Sequence, residues 1–129
     1  MSAARLDGLV VLLVDDDDDL RTLLALALES RGARVEEAGD APQARRKIQD
    51  TQPAVMVCDI GLPGEDGCSL LRSLAGKSDV PAIALTGSPE PSAESEVTRA
   101  GYRKQLPKPV EFERLVEAIA SVVEARGSV

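Results

Sequence analysis

The sequence predicts an α/β fold, a doubly wound five-stranded parallel sheet covered by five helices. Three observations lead there. Short apolar runs alternate five times with stretches of helical apolar spacing, and the connections between them are short. The strongest runs are unbroken and rich in Val, Leu and Ile, as expected for strands buried on both faces. Parallel neighbours also need crossover segments, and the intervening helices supply them with right-handed connections.

Leu9–Val14 opens the series as the first strand. Five aspartates follow, and the later ones, Asp17 to Asp19, suit a helix N-terminus, where carboxylates cap free N–H groups and complement the dipole. Leu20, Leu23, Leu24, Ala27 and Leu28 then recur at the spacing of one helix face. Arg31 and Gly32 close that helix. Arg34–Ala38 reads as a second, weaker strand. Asp40 caps the next helix, with Pro42 in its first turn and Ala41, Ala44 and Ile48 facing inward. Ala54–Cys58 is the third strand, followed by Asp59 and the turn-rich segment Gly61-Leu62-Pro63-Gly64. A short helix carries Leu70, Leu71 and Leu74. Ala82–Leu85 is the fourth strand and ends at Thr86-Gly87. Pro91–Arg99 has a thin stripe of Ala93, Val97 and Ala100, so a loosely held helix is expected. Lys104–Leu106 forms a brief fifth strand before Pro107-Lys108-Pro109. The last helix shows Phe112, Leu115, Val116, Ile119, Val122 and Val123 on one face.

A length of 129 residues suits one domain, and no linker, repeat or low-complexity tract divides it. Tyr102 and Phe112 are the only aromatics, so the core is aliphatic. The net charge of −7 repels phosphate backbones and argues against direct nucleic-acid binding. Two cysteines, Cys58 and Cys68, are too few for a disulfide scaffold and read as free thiols. No signal peptide or apolar run of membrane length is present, so a cytoplasmic location is expected. The chain has no histidine, which excludes imidazole ligands and imidazole bases.

Ligands of open parallel sheets bind at the carboxyl ends of the strands. Asp15 and Asp16 stand at the end of the first strand and Asp59 at the end of the third. Thr86 ends the fourth and Lys108 the fifth. Crowded carboxylates repel unless a cation lies between them, and two or three of them suit Mg2+, which takes roughly six oxygen ligands. Beside that cation Asp59 can act as a carboxylate nucleophile toward phosphorus. Lys108 would neutralise one oxygen of the arriving group and the Thr86 hydroxyl would donate to another, with Gly87 leaving space.

These segments at this spacing resemble the receiver domain of two-component response regulators, from Val10 to about Glu124. The resemblance lies in VLLVDDD at the first strand, Asp59 with Leu62-Pro63, Asp66-Gly67, Thr86-Gly87 and Lys108-Pro109. It implies a flavodoxin-like sheet of order 2-1-3-4-5 and a single receiver domain over residues 1–129, with a core of about 9–126. It also implies Mg2+ held by Asp15, Asp16, Asp59 and the Gly61 backbone carbonyl. Asp59 would be the phosphoacceptor, Thr86, Lys108 and the Gly87 backbone would meet the phosphoryl group, and the Lys108–Pro109 peptide would be cis. The implied partner is a histidine kinase or phosphotransfer protein. The implied output surface is the fourth helix, fifth strand and fifth helix, through which a homodimer could form. No enzymatic activity is expected beyond the chain's own phosphorylation and slow dephosphorylation.

The chain departs from the family at Gln105, where an aromatic usually swings inward on phosphorylation, and at Val110, which often is Phe. Gly61 and Ser88 occupy the positions that tune hydrolysis of the acyl phosphate. The same pattern fits a receiver piece of a hybrid histidine kinase or a phosphorelay shuttle. Two further readings compete: a haloacid dehalogenase-type phosphatase, from the D-x-D of Asp15 and Asp17, and a non-phosphorylated receiver-like binding module. Asp19 stands where the phosphatases usually carry Thr or Val, and the chain is short for that family. Spare apolar residues on the first helix, such as Leu26, offer a docking face for a phosphodonor.

Overall fold

The computed structural model describes residues 5–87 and 91–127. Its elements are β1 (Val10–Val14), α1 (Asp18–Glu29), β2 (Arg34–Ala38), α2 (Ala41–Thr51), β3 (Val55–Asp59), α3 (Gly67–Ser73), β4 (Ala82–Thr86), α4 (Pro91–Ala100), β5 (Lys104–Pro107) and α5 (Phe112–Gly127). All neighbouring strands are parallel, in the order β2-β1-β3-β4-β5, as the resemblance implied. The fold is the flavodoxin-like one. The third and fourth strands each run one residue further than their apolar stretches suggest, so Asp59 and Thr86 are themselves strand residues.

Period-two alternation sends the side chains of each central strand to opposite faces. Leu12, Val14, Met56, Cys58, Ala82 and Ala84 pack on one face with Ala44 and Ile48 of α2, Leu70 of α3 and Val97 of α4. Val11, Leu13, Val55, Val57, Ile83 and Leu85 pack on the other with Leu24 and Leu28 of α1 and Leu115, Ile119 and Val122 of α5. Leu6, ahead of the first strand, is buried in this second cluster too. Each fully buried Leu, Ile, Val or Met stabilises the fold by about 1.5–3 kcal/mol. Two cores therefore clamp β1, β3 and β4 between them. Val14 and Cys58, the apolar residues just before Asp15 and Asp59, belong to the first of these cores.

Helix starts follow the expected capping chemistry. Asp17, Asp40 and Asp66 cap α1, α2 and α3, each accepting from the backbone N–H three residues on. The inward face of α1 differs from expectation. Leu23 is 66% exposed, whereas Ala25 is buried and Arg21 half-buried. The helix is rolled so that Arg21, Ala25 and Leu28 share the buried arc, and both Leu23 and Leu26 point outward. On α4, Val97 is buried and Ala100 half-buried, while the Ala93 side chain lies outside the described residues, as does Ser88. Among the described residues no helix is long and apolar enough to cross a membrane.

Candidate functional site

The carboxyl ends of β1, β3, β4 and β5 lie side by side, because β1, β3, β4 and β5 are successive neighbours in register. One carboxylate oxygen from each of Asp15, Asp16 and Asp59 lies within 4.8 Å of the other two. Asp15 and Asp59 are the buried polar side chains among the described residues, at 3% and 8% exposure, and Asp16 is exposed. Hard oxygen donors packed this closely, two of them out of water, could hold a divalent cation.

Lys108 closes the group from β5. Its Nζ lies 3.0 Å from Asp59 Oδ2 and 3.3 Å from Asp15 Oδ2. Burial alone would lower the ammonium's pKa, but the hydrogen bond and charge of Asp59, joined by those of Asp15, hold it above the usual lysine range. The lysine therefore stays cationic at neutral pH. Its backbone N–H donates to the Thr86 carbonyl at 2.8 Å, and the Lys108–Pro109 peptide is cis. The Asp15 carboxylate also accepts from the Asp17 N–H at 2.9 Å, and the Asp59 carboxylate from the Gly61 N–H at 2.9 Å. Thr86 is half-buried at the end of β4, and Gly87 is exposed. A Cβ at Gly87 would meet nothing among the described residues within 4 Å.

The segment after Asp59 packs tightly beneath the site. Leu62 is buried, and a Cβ on Gly67 would come within 3.0 Å of the Asp59 carbonyl and of Ile60 Cα. Gly67 N–H donates to the Ile60 carbonyl at 3.0 Å. Glycine lets the start of α3 lie this close to the end of β3 without a Cβ pressed against the backbone. Cys58, one residue before Asp59, is buried, and burial pushes its thiol up to about 12. It is an inert core residue.

Two participants, Arg21 and Tyr102, carried no sequence signal of their role, and a third, Gln105, stood out only as a departure from the family. Arg21 donates from Nη1 to the Asp15 carbonyl at 2.6 Å, from Nε to Glu37 at 3.0 Å and from Nη2 to Asp18 at 2.8 Å. Tyr102 donates its hydroxyl to the Gly67 carbonyl at 2.8 Å, tying the loop before β5 to the start of α3. Gln105 donates from Nε2 to the Glu94 carbonyl at 2.8 Å and to Thr98 Oγ1 at 3.1 Å, while its Oε1 is buried and has no partner among the described residues. At the position where the resemblance expects an aromatic, an amide thus holds α4 to β5. Half-buried Val110 packs against the α1 and α5 core. Asp17 caps α1 and Asp19 lies exposed in its first turn, as expected, whereas the exposed Asp18 pairs with Arg21.

Residues 11–120 match the family model described as the response regulator receiver domain. The chain is 37% identical to protein PetR of Rhodobacter capsulatus over 88% of its own length and 48% of that protein's. It is 32% identical to the phosphate regulon transcriptional regulatory protein PhoB of Pseudomonas aeruginosa, over 93% of this chain and 54% of PhoB. The chain spans about half the length of these curated relatives. Among solved structures, the receiver domain of the Francisella response regulator 1452 superposes with a TM-score of 0.87 at 25% identity, covering 92% of this chain and 99% of that one.

Proposed function

The chain belongs to the response regulator receiver domain family of two-component systems, and from that membership we propose that it accepts a phosphoryl group on Asp59 from a histidine kinase or phosphotransfer protein. Receiver domains are signalling domains rather than enzymes with turnover, and the chain is proposed to act as one. The observation that carries the reading is the 3.0 Å approach of Lys108 Nζ to Asp59 Oδ2 beside the Asp15–Asp16 pair.

In the proposed reaction a carboxylate oxygen of Asp59 attacks the phosphorus of a phosphohistidine in line with the P–N bond. An O–P bond forms, the P–N bond breaks, and its electron pair leaves with the imidazole. Lys108 exchanges its ion pair with Asp59 for one with a phosphoryl oxygen, so the charge that Asp59 gives up is met by the same ammonium. The Thr86 hydroxyl, at the end of the adjoining strand, donates to a second oxygen, and the exposed backbone at Gly87 admits the group. Asp15, Asp16, Asp59 and the Gly61 carbonyl would hold Mg2+, which when bound supplies screening of the phosphoryl charge. Phosphorylation then leaves roughly −1.5 to −2 charge on the phosphoryl group at the strand ends in place of the single charge of the carboxylate. The output is proposed to be read on α4, β5 and α5, with Gln105 as the contact that ties α4 to that surface; a homodimer would form through the same face.

The test is incubation of the chain with acetyl phosphate and Mg2+, read by intact mass. One phosphoryl group is expected on the wild type and none on Asp59→Asn. An unmodified wild type under saturating donor would sink the reading.

A further inference from the structure

The two acidic residues at the end of β1 are held in different ways. The Asp15 carboxylate is engaged by the Asp17 N–H and by Lys108. Asp16 is exposed, and among the described residues its carboxylate has no hydrogen bond or ion pair. Its place near Asp15 and Asp59 is therefore set by the backbone that carries it.

That backbone is gripped from two sides. The Asp15 N–H donates to the Ala38 carbonyl of β2 at 3.1 Å, and the Asp15 carbonyl accepts from Arg21 Nη1 at 2.6 Å. This carbonyl belongs to the peptide unit leading into Asp16. A peptide unit is planar, so fixing its oxygen fixes the direction in which the Asp16 Cα departs. Arg21 is itself immobilised. Its side chain is only 15% exposed, and its remaining donors reach Glu37 on β2 and Asp18 in the first turn of α1. One planar fork thus bonds three oxygens, on the residue after β1, on α1 and on β2, which a lysine ammonium on a flexible stem cannot do.

We infer that Arg21 is a positioning residue for the metal pair: it sets the peptide between Asp15 and Asp16 and so fixes where the Asp16 carboxylate stands. This rests on the proposed reading of Asp15 and Asp16 as metal ligands. A simple charge effect makes the opposite prediction. Arg21 is a cation within hydrogen-bonding distance of the site's backbone, so its removal should strengthen Mg2+ binding if only electrostatics mattered. If Arg21 positions Asp16, its removal weakens binding. The two accounts differ in sign.

The experiment is a calorimetric Mg2+ titration of the wild type, Arg21→Ala, Arg21→Lys and Arg5→Ala, the last a control that removes a positive charge at an exposed pair with Asp7. Urea unfolding without Mg2+ establishes that each variant is folded under titration conditions. Arg21→Met, which retains the apolar stem, replaces Arg21→Ala if the alanine variant is not folded. The Kd for Mg2+ is expected to rise about tenfold in both Arg21 variants, the usual loss when an outer partner of a metal ligand is removed. Arg5→Ala should be unchanged. Phosphorylation by acetyl phosphate should be slowed at low Mg2+ and return to within about twofold of wild type at saturating Mg2+. A folded Arg21 variant that binds Mg2+ as tightly as wild type, or more tightly, overturns the inference while leaving the function standing. A wild type that binds no Mg2+ overturns both.

Discussion

The ammonium of Lys108 and the carboxylate of Asp59, 49 positions apart in the chain, form an ion pair of 3.0 Å at the carboxyl edge of the sheet. The lysine also reaches Asp15, so a single cation answers two nearly buried acids brought in by different strands. Replacing Lys108 by Met leaves those acids facing one another and removes a donor to the developing phosphoryl charge. The rate of phosphorylation by acetyl phosphate should fall about a hundredfold, the scale seen when one preorganised donor is lost. The folded-state shift is upward, so the ammonium is retained as pH rises through the neutral range. In the wild type no loss of rate from this group is expected between about pH 7 and 9. A time course of intact mass at several pH values checks both expectations.

Mg2+ that binds the folded chain and not the unfolded one must raise stability by mass action. At a hundredfold excess over Kd the gain is about 2.7 kcal/mol. Urea unfolding of the wild type with and without the ion measures it. Asp16→Asn should remove most of the gain while changing the metal-free midpoint little, because the exposed Asp16 carboxylate has no hydrogen bond or ion pair among the described residues.

Gly67→Ala tests the packing under the site. Its Cβ would meet backbone atoms of Asp59 and Ile60 at 3.0 Å, and backbone cannot turn aside as a side chain does. A loss of about 1–3 kcal/mol is expected, with slowed phosphorylation in the fraction that folds. Urea titration and the acetyl phosphate time course report the two effects separately.

Tyr102 is the sole tyrosine, which makes its titration easy to follow by absorbance. Burial, reinforced by Cys58, raises its pKa above the ordinary value. The folded-state value thus exceeds the unfolded one of about 10. The stability it contributes is complete below about pH 10 and drains away as pH climbs further, so tyrosinate should appear only together with unfolding. Tyr102→Phe loses the hydrogen bond to the Gly67 carbonyl and should cost about 0.5–1.5 kcal/mol near neutral pH. An absorbance change well before the circular dichroism transition would contradict this.

The strand ends were legible in the sequence because unbroken apolar runs have few alternative structures, and the polar residue that stops each run is where the strand meets water. Asp15, Asp16, Asp59, Thr86 and Lys108 all stood at such stops. The helix faces were less legible. Leu23 fits the apolar spacing of α1 as well as Leu24 does, and only the roll of the helix on the sheet decides between them. Arg21 and Tyr102 could not be read at all, since their partners, Asp15, Glu37 and Gly67, are backbone or surface groups brought near by the sheet. Arg21 on an acidic helix start looks like any solvated base. Gln105 was noticed only as a departure, and its bonds to α4 follow from the adjacency of the fourth helix and the fifth strand.

β3 is flanked by β1 and β4 and roofed on both faces, so Asp59 touches solvent only beyond the tip of its own strand. Lys108 stands beside that tip, 3.0 Å from the carboxylate, and the Asp16 carboxylate lies close by at the end of β1. A broad, flat protein surface pressed against this edge would stop short of the carboxylate. On the proposed reading, a protein donor would present its phosphate-bearing group on a slender arm that stands proud of its surface.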